Sequence, residues 1–502
     1  MTYRFYVPQD TSARSVGAER LVQAWAKEPS VEIVRTSSRG AFFLEPLVEV
    51  DGPHGRIGWP NAAERDLPRI LRGEGGNPID TIPFLAKQTR VTFANFGVTR
   101  PLSLENYLDH GGFKGLEEAA SLTPQDIIDE IKASELRGRG GAAFPVWRKW
   151  QATLDTPSDQ KYIVANADEG DAGTYCDRMI MEGEPFRLIE GMLIAAKAIG
   201  ATKGYIYCRY EYPAAARMLR EAIEVLTRAG YLGHGSPEVE GMAKGWESLF
   251  ELDVFVGAGS YVCGEETALL QSLEGKRGMV QAKPPYPAVS GLYGKPTLIS
   301  NVLTFATVPT ILARGGAWHA SLGTEHSKGT IALQIGGRVK QPGLVEVPFG
   351  LTLEQAIEEF GGGIATGARF KAVQVGGPLG SLFTKAGLKT RICYDEFARA
   401  GAILGHGGIV VFDQETDMVE LTRHYMAFTA DESCGKCTPC RVGSVRAREI
   451  LDGIAQGRGR PGDLELLADL AETMKQASLC ALGGRAPYPV LTAIEHFRKE
   501  FK

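Results

Sequence analysis

A multidomain chain, α/β over most of its length and purely α at its C-terminal end, is what the sequence predicts. Three observations carry this. At 502 residues and 54.2 kDa the chain exceeds what a single hydrophobic core supports. Up to about residue 412, short apolar runs of strand length alternate with segments of helical period, and beyond it only the helical period remains. The helical part opens on a cysteine-rich turn, Asp431-Glu-Ser-Cys-Gly-Lys-Cys-Thr-Pro-Cys-Arg441.

Residues 1–85 read as a small α/β unit. Tyr3–Val7 has strand character, Ala13–Ala26 is an amphipathic helix, and Val31–Arg35 is a second strand. Phe42–Val50 and Gly55–Trp59 form a hairpin and Leu67–Arg72 a closing helix. Strand, helix, strand, hairpin and helix is the order of a thioredoxin-like domain. It contains no cysteine, so it holds neither a redox disulfide nor a thiolate-bound cluster. Docking, scaffolding or a plain structural role is what remains for it.

A linker with Gly73, Gly75, Gly76, Pro78 and Pro83 leads to the main domain, expected over 92–325. Thr123–Ala133 is a helix with Pro124 at its first position. Leu136-Arg-Gly-Arg-Gly-Gly-Ala-Ala-Phe-Pro-Val-Trp-Arg-Lys-Trp150 follows; its glycines expose backbone N–H groups suited to a phosphate, with Arg139 and Lys149 as counter-charges. An RNA-binding RGG segment is the bland alternative, disfavoured because the motif occurs once in an acidic protein. The strand Lys161–Ala165 ends in Asn166-Ala-Asp-Glu-Gly-Asp-Ala-Gly-Thr-Tyr175, a polar loop where α/β proteins bind ligands, although a solvated turn reads the same way. The helix Arg187–Ile199, strand Lys203–Arg209 and helix Pro213–Ala229 come next. Leu252–Val256 then runs into Gly257-Ala-Gly-Ser-Tyr-Val-Cys-Gly-Glu-Glu-Thr-Ala268. The third glycine of a dinucleotide fingerprint would fall at Val262, so a standard Rossmann NAD site is rejected, while a glycine loop before a helix still favours a phosphate or flavin. Glu265 and Glu266 suit that helix N-terminus, and a capping role for one of them is the structural reading. Lys283-Pro-Pro-Tyr-Pro287 places an aromatic on a rigid loop, and Ser300 and Asn301 form a polar pair in an apolar run.

From about 330 to 390 the strands Ile331–Ile335 and Leu344–Val347, the helix Thr352–Phe360 and the strand Phe370–Val375 suggest a β-grasp (ubiquitin-like) module. Ile409–Phe412 is a last strand, and 410–502 is expected as a helical domain built on Glu415–Thr429, Cys440–Ile454, Asp463–Ser478 and Tyr488–Phe497. Cys434, Cys437 and Cys440 stand at C-x2-C-x2-C spacing, and Cys480 lies 40 residues further on. A compact triplet plus one remote thiolate suits a [4Fe–4S] cluster. Zinc is the competing metal, though structural zinc sites usually pair two separated C-x2-C knuckles, and four buried core cysteines are the plainest alternative.

Glycine is enriched, 61 of 502 residues, as expected where backbone must approach a ligand. A net charge of -5 and a pI near 6.0 give no reason to expect nucleic acid. All eight cysteines lie from position 176 onward with no disulfide-like pattern, which fits a reducing cytoplasm. The first residues have no apolar signal core, and the apolar runs near 188–201 and 298–313 are broken by polar residues, so no membrane insertion is expected.

These stretches together resemble the flavin- and NADH-binding (51-kDa type) subunit of respiratory complex I and its soluble relatives, the diaphorase subunits of NAD-reducing hydrogenases and NAD-linked formate dehydrogenases. The likeness spans roughly residues 100–500. It rests on Gly138–Pro145, Asn166–Gly170, Gly257–Ala268, Lys283–Ala288, Gly291–Gly294 and Ser433–Arg441. It implies FMN in the main domain, bounded by Gly138, Arg139, Gly140, Gly141, Lys149, Asn166, Asp168, Tyr261, Gly264, Glu265, Ser300 and Asn301. NAD(H) would lie against it, with Phe144 and Tyr286 as aromatic neighbours and Glu169, Glu266 and Lys283 nearby. No residue acts covalently; Glu265 and Glu266 tune the site, and the cluster ligands are Cys434, Cys437, Cys440 and Cys480. Ala143, Asp171, Tyr286 and Ser300 depart from the family's usual Gly, Glu, Phe and Asn, and Ala152 stands where complex I-type members carry an aromatic near the adenine. Within the family, the cysteine-free N-terminal unit looks most like the beta subunit of a soluble NAD-dependent molybdenum or tungsten formate dehydrogenase. The partners this implies are a thioredoxin-like small subunit with a [2Fe–2S] cluster and a large multi-cluster formate dehydrogenase subunit. The implied chemistry is hydride transfer between NAD(H) and FMN with a one-electron relay through the cluster. A complex I or hydrogenase flavoprotein and a non-catalytic iron–sulfur scaffold are the alternatives.

Overall fold

The computed structural model describes residues 2–233 and 249–501. The first of its three sheets contains β1 (Tyr3–Pro8), β2 (Val31–Thr36), β3 (Val48–Gly52), β4 (Gly55–Trp59) and β5 (Asn77–Pro78), in the order β2-β1-β3-β4-β5. β1 and β2 are parallel and β3 and β4 form an antiparallel hairpin, the thioredoxin-like arrangement. Phe5, Val7 and Val48 pack against Leu21 and Trp25 to close its core. Two local expectations are corrected. The single helix Ala13–Ala26 is in fact two, Thr11–Ser15 and Ala18–Trp25, because Gly17 between them takes a φ of 108°, which glycine adopts without penalty. The hairpin expected from Phe42 starts only at Val48: Phe42–Leu44 is a 3-10 turn, and Pro46 has no N–H to give a ladder. The unit is docked on the main domain by Thr11, whose N–H and hydroxyl donate to Glu182 at 2.6 and 2.7 Å, and by Arg178, which donates to Ser12 Oγ at 2.9 Å.

The main domain is built on a four-stranded parallel sheet of β6 (Tyr162–Ala167), β7 (Lys203–Cys208), β8 (Glu251–Val256) and β9 (Thr297–Asn301), in the order β8-β7-β6-β9. The helix Pro185–Ile199 carries the core: every residue but Lys197 is buried. It meets the helix Val302–Arg314 so closely that a Cβ on Gly191 would stand 2.0 Å from the carbonyl oxygen of Phe305. Since β6 and β9 are adjacent and parallel, their C-terminal ends bring the loop after Ala167 beside Asn301 and the start of the helix Val302–Arg314. Parallel sheets bind ligands at that edge.

The third sheet contains β10 (Thr330–Gly337), β11 (Gly343–Pro348), β12 (Phe370–Val375), β13 (Ser381–Phe383) and β14 (Gly408–Asp413), in the order β11-β10-β14-β12-β13. The expected boundaries at 390 and 410 therefore need correction. β14 does not open the helical domain; it is the central strand here, parallel to β10 and antiparallel to β12. An isolated apolar run after a long loop gives no clue to such non-local pairing. Glu346 of β11 ties this sheet to the start of the main domain, accepting the N–H groups of Val91, Thr92 and Phe93 at 2.8–3.0 Å and the Thr330 hydroxyl at 2.6 Å.

The C-terminal part is helical: Met418–Glu432, Thr438–Ala455, Asp463–Ala477, Ala481–Arg485 and Pro487–Phe497. The first helix starts three residues later than expected because Asp417 caps it, accepting from the N–H groups of Val419 and Glu420. Among the described residues no helix is long and apolar enough to cross a membrane.

Candidate functional site

A cleft of about 580 Å³ opens at the C-terminal edge of the main sheet, a volume ordinary for a cofactor site. Its walls come from several of the motifs singled out above: Gly138, Gly140, Gly141, Phe144 and Lys149; Asn166, Asp168 and Glu169; Tyr261, Gly264, Glu265 and Glu266; Lys283; and Ser300 and Asn301. Glycine is required at close approaches. A Cβ on Gly140 would lie 2.9 Å from Asn301 Cβ, and one on Gly264 3.2 Å from Asp168 Oδ2. The Asn166 amide donates to the Gly264 carbonyl at 2.8 Å, which locks two of the loops together. Asn301 caps the helix Val302–Arg314 by accepting from Leu303 and Thr304 N–H, and its own amide donates to Asp177 at 2.5 Å.

Charge in the cleft is organised as a ladder. Glu266 accepts from Lys149 and Lys283, each at 3.0 Å, and Lys283 also reaches Glu265 at 3.1 Å. Burial opposes ionisation of Glu266, but the two lysines outweigh it and hold its carboxyl below the usual range. Glu265 is a helix cap as well: its Oε2 accepts from Thr267 and Ala268 N–H at 2.8 and 3.1 Å. The capping role and the site role thus coexist in one side chain. Asp168, by contrast, is raised well above its ordinary value by burial, and its carboxyl has no hydrogen-bond partner among the described residues.

Three expected site residues stand differently. The Arg139 guanidinium is no counter-charge to a ligand in the cleft. It is 4% exposed, donates to the Lys328 carbonyl at 3.0 Å and the Tyr394 hydroxyl at 3.3 Å, and stacks on Phe349, so it fastens the main domain to the third sheet. A sequence shows an arginine in a glycine loop but not which side it leaves by. Glu169 lines the cleft, yet its carboxylate is taken up by the N–H groups of Asp177 and Arg178 at 2.8 and 2.9 Å, capping the helix Cys176–Gly183. Tyr286 is 58% exposed on its loop and does not form the wall, whereas Phe144, 45% exposed, does.

The cysteines converge. Cys437 caps the helix Thr438–Ala455 and Cys440 lies in its first turn, Gly435 turns the chain with a φ of 77°, and Arg441 donates to the Gly435 carbonyl at 3.0 Å. Cys480 leads the helix Ala481–Arg485, where Gly483 packs so tightly that its Cβ would sit 2.7 Å from Cys440 Cβ. Burial pushes the Cys480 thiol up to about 11, opposed by the N–H groups of Leu482 and Gly483, which favour a thiolate there. All four thiols are free, and Cys480 lines the cleft itself. Four free thiols, one of them facing backbone N–H donors, suit an iron–sulfur cluster, and the glycine-walled cleft suits a flavin.

Two groups were missed by sequence reasoning. Asp171 stood out only as a departure from the family's usual Glu, and His406 not at all. Asp171 accepts from the Tyr261 hydroxyl at 2.7 Å and stands 3.2 Å from His406 Nδ1. A histidine between glycines, Leu404-Gly-His-Gly-Gly408, was the available signal.

Comparison with known proteins agrees with this geometry. Residues 131–310 match the Nuo51 FMN-binding domain, 420–502 the iron–sulfur binding region of NADH-ubiquinone oxidoreductase-F, and 333–382 the SLBB domain. The NADP-reducing hydrogenase subunit HndC of Solidesulfovibrio fructosivorans is 44% identical over 416 residues, 83% of each chain. The chain belongs to the 51-kDa flavin- and NADH-binding subunit family. A subunit of the NADH-quinone oxidoreductase of Escherichia coli K12 is 42% identical over 80% of this chain and 90% of its own, and one from Rhizobium meliloti is 43% identical over 79% and 93%. A crystal structure of an NAD+-reducing [NiFe]-hydrogenase in the H2-reduced state covers 99% of this chain and 84% of its own, at a TM-score of 0.71 and 32% identity. This 51-kDa-type chain therefore has an FMN-binding domain and a [4Fe–4S]-binding region, and NADH is the substrate of its family.

Proposed function

We propose that this 51-kDa-type chain is the diaphorase subunit of a cytoplasmic NAD-dependent formate dehydrogenase complex, exchanging electrons between NAD(H) and partner subunits. The observation that supports the relay is that Cys480 lines the same cleft as the glycine loops. Bound FMN supplies the conversion between a hydride and single electrons, and the cluster at Cys434, Cys437, Cys440 and Cys480 supplies the exit. The protein's own part is to bind and align. Phe144 offers an exposed ring in the cleft wall and Tyr286 another on the loop that carries Lys283, and alignment of this kind is worth up to roughly 7–11 kcal/mol. The Lys149–Glu266–Lys283–Glu265 ladder keeps the cleft close to neutral before the nucleotide enters.

Formate as the terminal substrate, with a molybdenum- or tungsten-containing large subunit and a small [2Fe–2S] subunit as partners, rests on the cysteine-free thioredoxin-like unit and the family resemblance. A hydrogenase assembly is the second reading, favoured by the likeness to HndC and by a hydrogenase chain that aligns along nearly the whole length. Isolation of the native complex with metal analysis decides between them: molybdenum or tungsten with formate-dependent NAD+ reduction supports the first, and nickel overturns it.

A further inference from the structure

Beside Leu379 and Ile403, the third-sheet unit brings one titratable side chain to the cleft of the main domain. His406 leads into β14, and its Nε2 lies 3.7 Å from where a Cβ on Gly140 would stand. Its position is fixed from both ends of the residue. The His406 carbonyl accepts from Gln334 Nε2 at 2.8 Å, and Gln334 Oε1 in turn accepts from the N–H of Tyr175 at 2.8 Å. On the ring, Nδ1 is held 3.2 Å from Asp171 Oδ2, while Asp171 Oδ1 is occupied by the Tyr261 hydroxyl. Nε2 has no protein partner among the described residues and borders the cleft.

Apart from Asp168 and Arg485, the other charged groups of the cleft are already engaged. Lys149 and Lys283 are paired with Glu265 and Glu266, and Glu169 is saturated by backbone N–H groups. The charged groups facing His406 are Asp171 and Glu169 from the loop after β6 and Asp177 from the helix Cys176–Gly183. Arg178 and Arg209 lie beyond them, Arg209 donating to the Glu169 carbonyl.

On the reading that the cleft binds FMN, we infer that His406, oriented by Asp171, is a charge-compensating donor of that cleft when the flavin is reduced. FMN held there would take a hydride, two electrons and one proton, from NADH, so the cleft would gain one negative charge as NAD+ forms. An imidazolium at His406 would balance that charge. Where the ring is neutral beforehand, it would take one proton from solvent on reduction and return it when the two electrons leave for the iron–sulfur cluster and the hydride's proton is released. The cycle closes on NADH giving NAD+, two electrons and one proton.

Burial disfavours the imidazolium, but the bond to Asp171 and the charges of Asp171, Asp177 and Glu169 outweigh it and lift His406 to about 9. Below that pH the cation is in place before the flavin is reduced; above it, reduction has to recruit the proton.

The test is an anaerobic redox titration of the bound-flavin absorbance in the full-length holoprotein between about pH 7 and 10.5. In the wild type the equilibrium constant for reduction by NADH gains an extra tenfold fall per pH unit above about pH 9, for the one recruited proton. His406→Gln loses this break and reduces less favourably by about 5–30-fold below it, the effect of one screened charge. Asp171→Asn, which keeps the histidine but removes its main charged partner, moves the break down toward pH 6.5–7. A wild-type profile without a break between pH 8 and 10, or a flavin-loaded His406→Gln that titrates like wild type, overturns the inference and leaves the diaphorase reading standing. A wild-type protein that holds no flavin, or whose flavin NADH does not bleach, overturns both.

Discussion

Glu266→Gln is the perturbation whose effect follows most directly from the charge ladder. Glu266 bridges Lys149 and Lys283 at 3.0 Å each, with its side chain 21% exposed, so the change removes one negative charge that two cations share. The cleft gains one net positive charge without a change of shape. A unit charge acting on a phosphate about 8 Å away, at an effective dielectric of about 20–40, is worth roughly 1–2 kcal/mol. That corresponds to about 5–30-fold tighter NADH binding and stronger inhibition by NAD+. The cost is local, because Lys283 keeps Glu265 and Lys149 keeps the Ile299 carbonyl at 3.3 Å. The assay is a steady-state titration of NADH with viologen as acceptor, with NAD+ inhibition and iron content measured on the same preparation. Iron per chain stays at the wild-type value because none of the four cysteines is touched. An unchanged KM and inhibition constant in a folded, fully loaded variant would refute the view that this ladder sets nucleotide affinity.

Cys480→Ser should abolish the cluster's iron and its electron paramagnetic resonance signal while leaving FMN absorbance, since it removes one of four thiols and no glycine of the cleft. Gly170→Ala places a Cβ 2.5 Å from the Tyr261 ring, so Tyr261 must move; a loss of about 1–3 kcal/mol in stability and weaker FMN retention are expected by thermal unfolding with and without added FMN. Glu346→Ala leaves four donors from Val91, Thr92, Phe93 and Thr330 without their acceptor, and a destabilisation of about 3–5 kcal/mol should appear in urea unfolding. Glu45 is a carboxyl raised by burial, and secondarily by Asp10, from 4.5 to about 8. Its contribution is therefore full below about pH 4.5 and is lost as pH rises to about 8, by at most about 1.4 kcal/mol per pH unit. Glu45→Gln should flatten the pH dependence of unfolding in that window, and an unaltered profile would contradict the assignment.

The architecture was largely legible because its signals are local. Strand-length runs and helical periods placed the elements; from the sequence alone Asn166 could be located at a strand end and Gly264 in a loop before a helix. What escaped depends on contacts distant in sequence. β14 lies between β10 and β12 through pairing that no periodicity announces, and the side on which Arg139 leaves its loop is decided by Lys328 and Tyr394, some 190 and 255 residues away. The same holds for His406, which lies 235 residues from Asp171 in sequence and enters the cleft from another sheet. Gly17 shows the local limit: the helical period runs on past it, and only its positive φ shows that the helix breaks there.

The central claim is that the cleft and the cysteine turn form one electron path. Anaerobic mixing of the purified holoprotein with NADH, followed by optical and freeze-quench paramagnetic resonance detection, tests it most directly. The account predicts one FMN and four iron atoms per chain, bleaching of the flavin band, and then a reduced-cluster signal that Cys480→Ser removes without preventing the bleaching. A cluster that stays oxidised while the flavin in the same chain is fully reduced would contradict it.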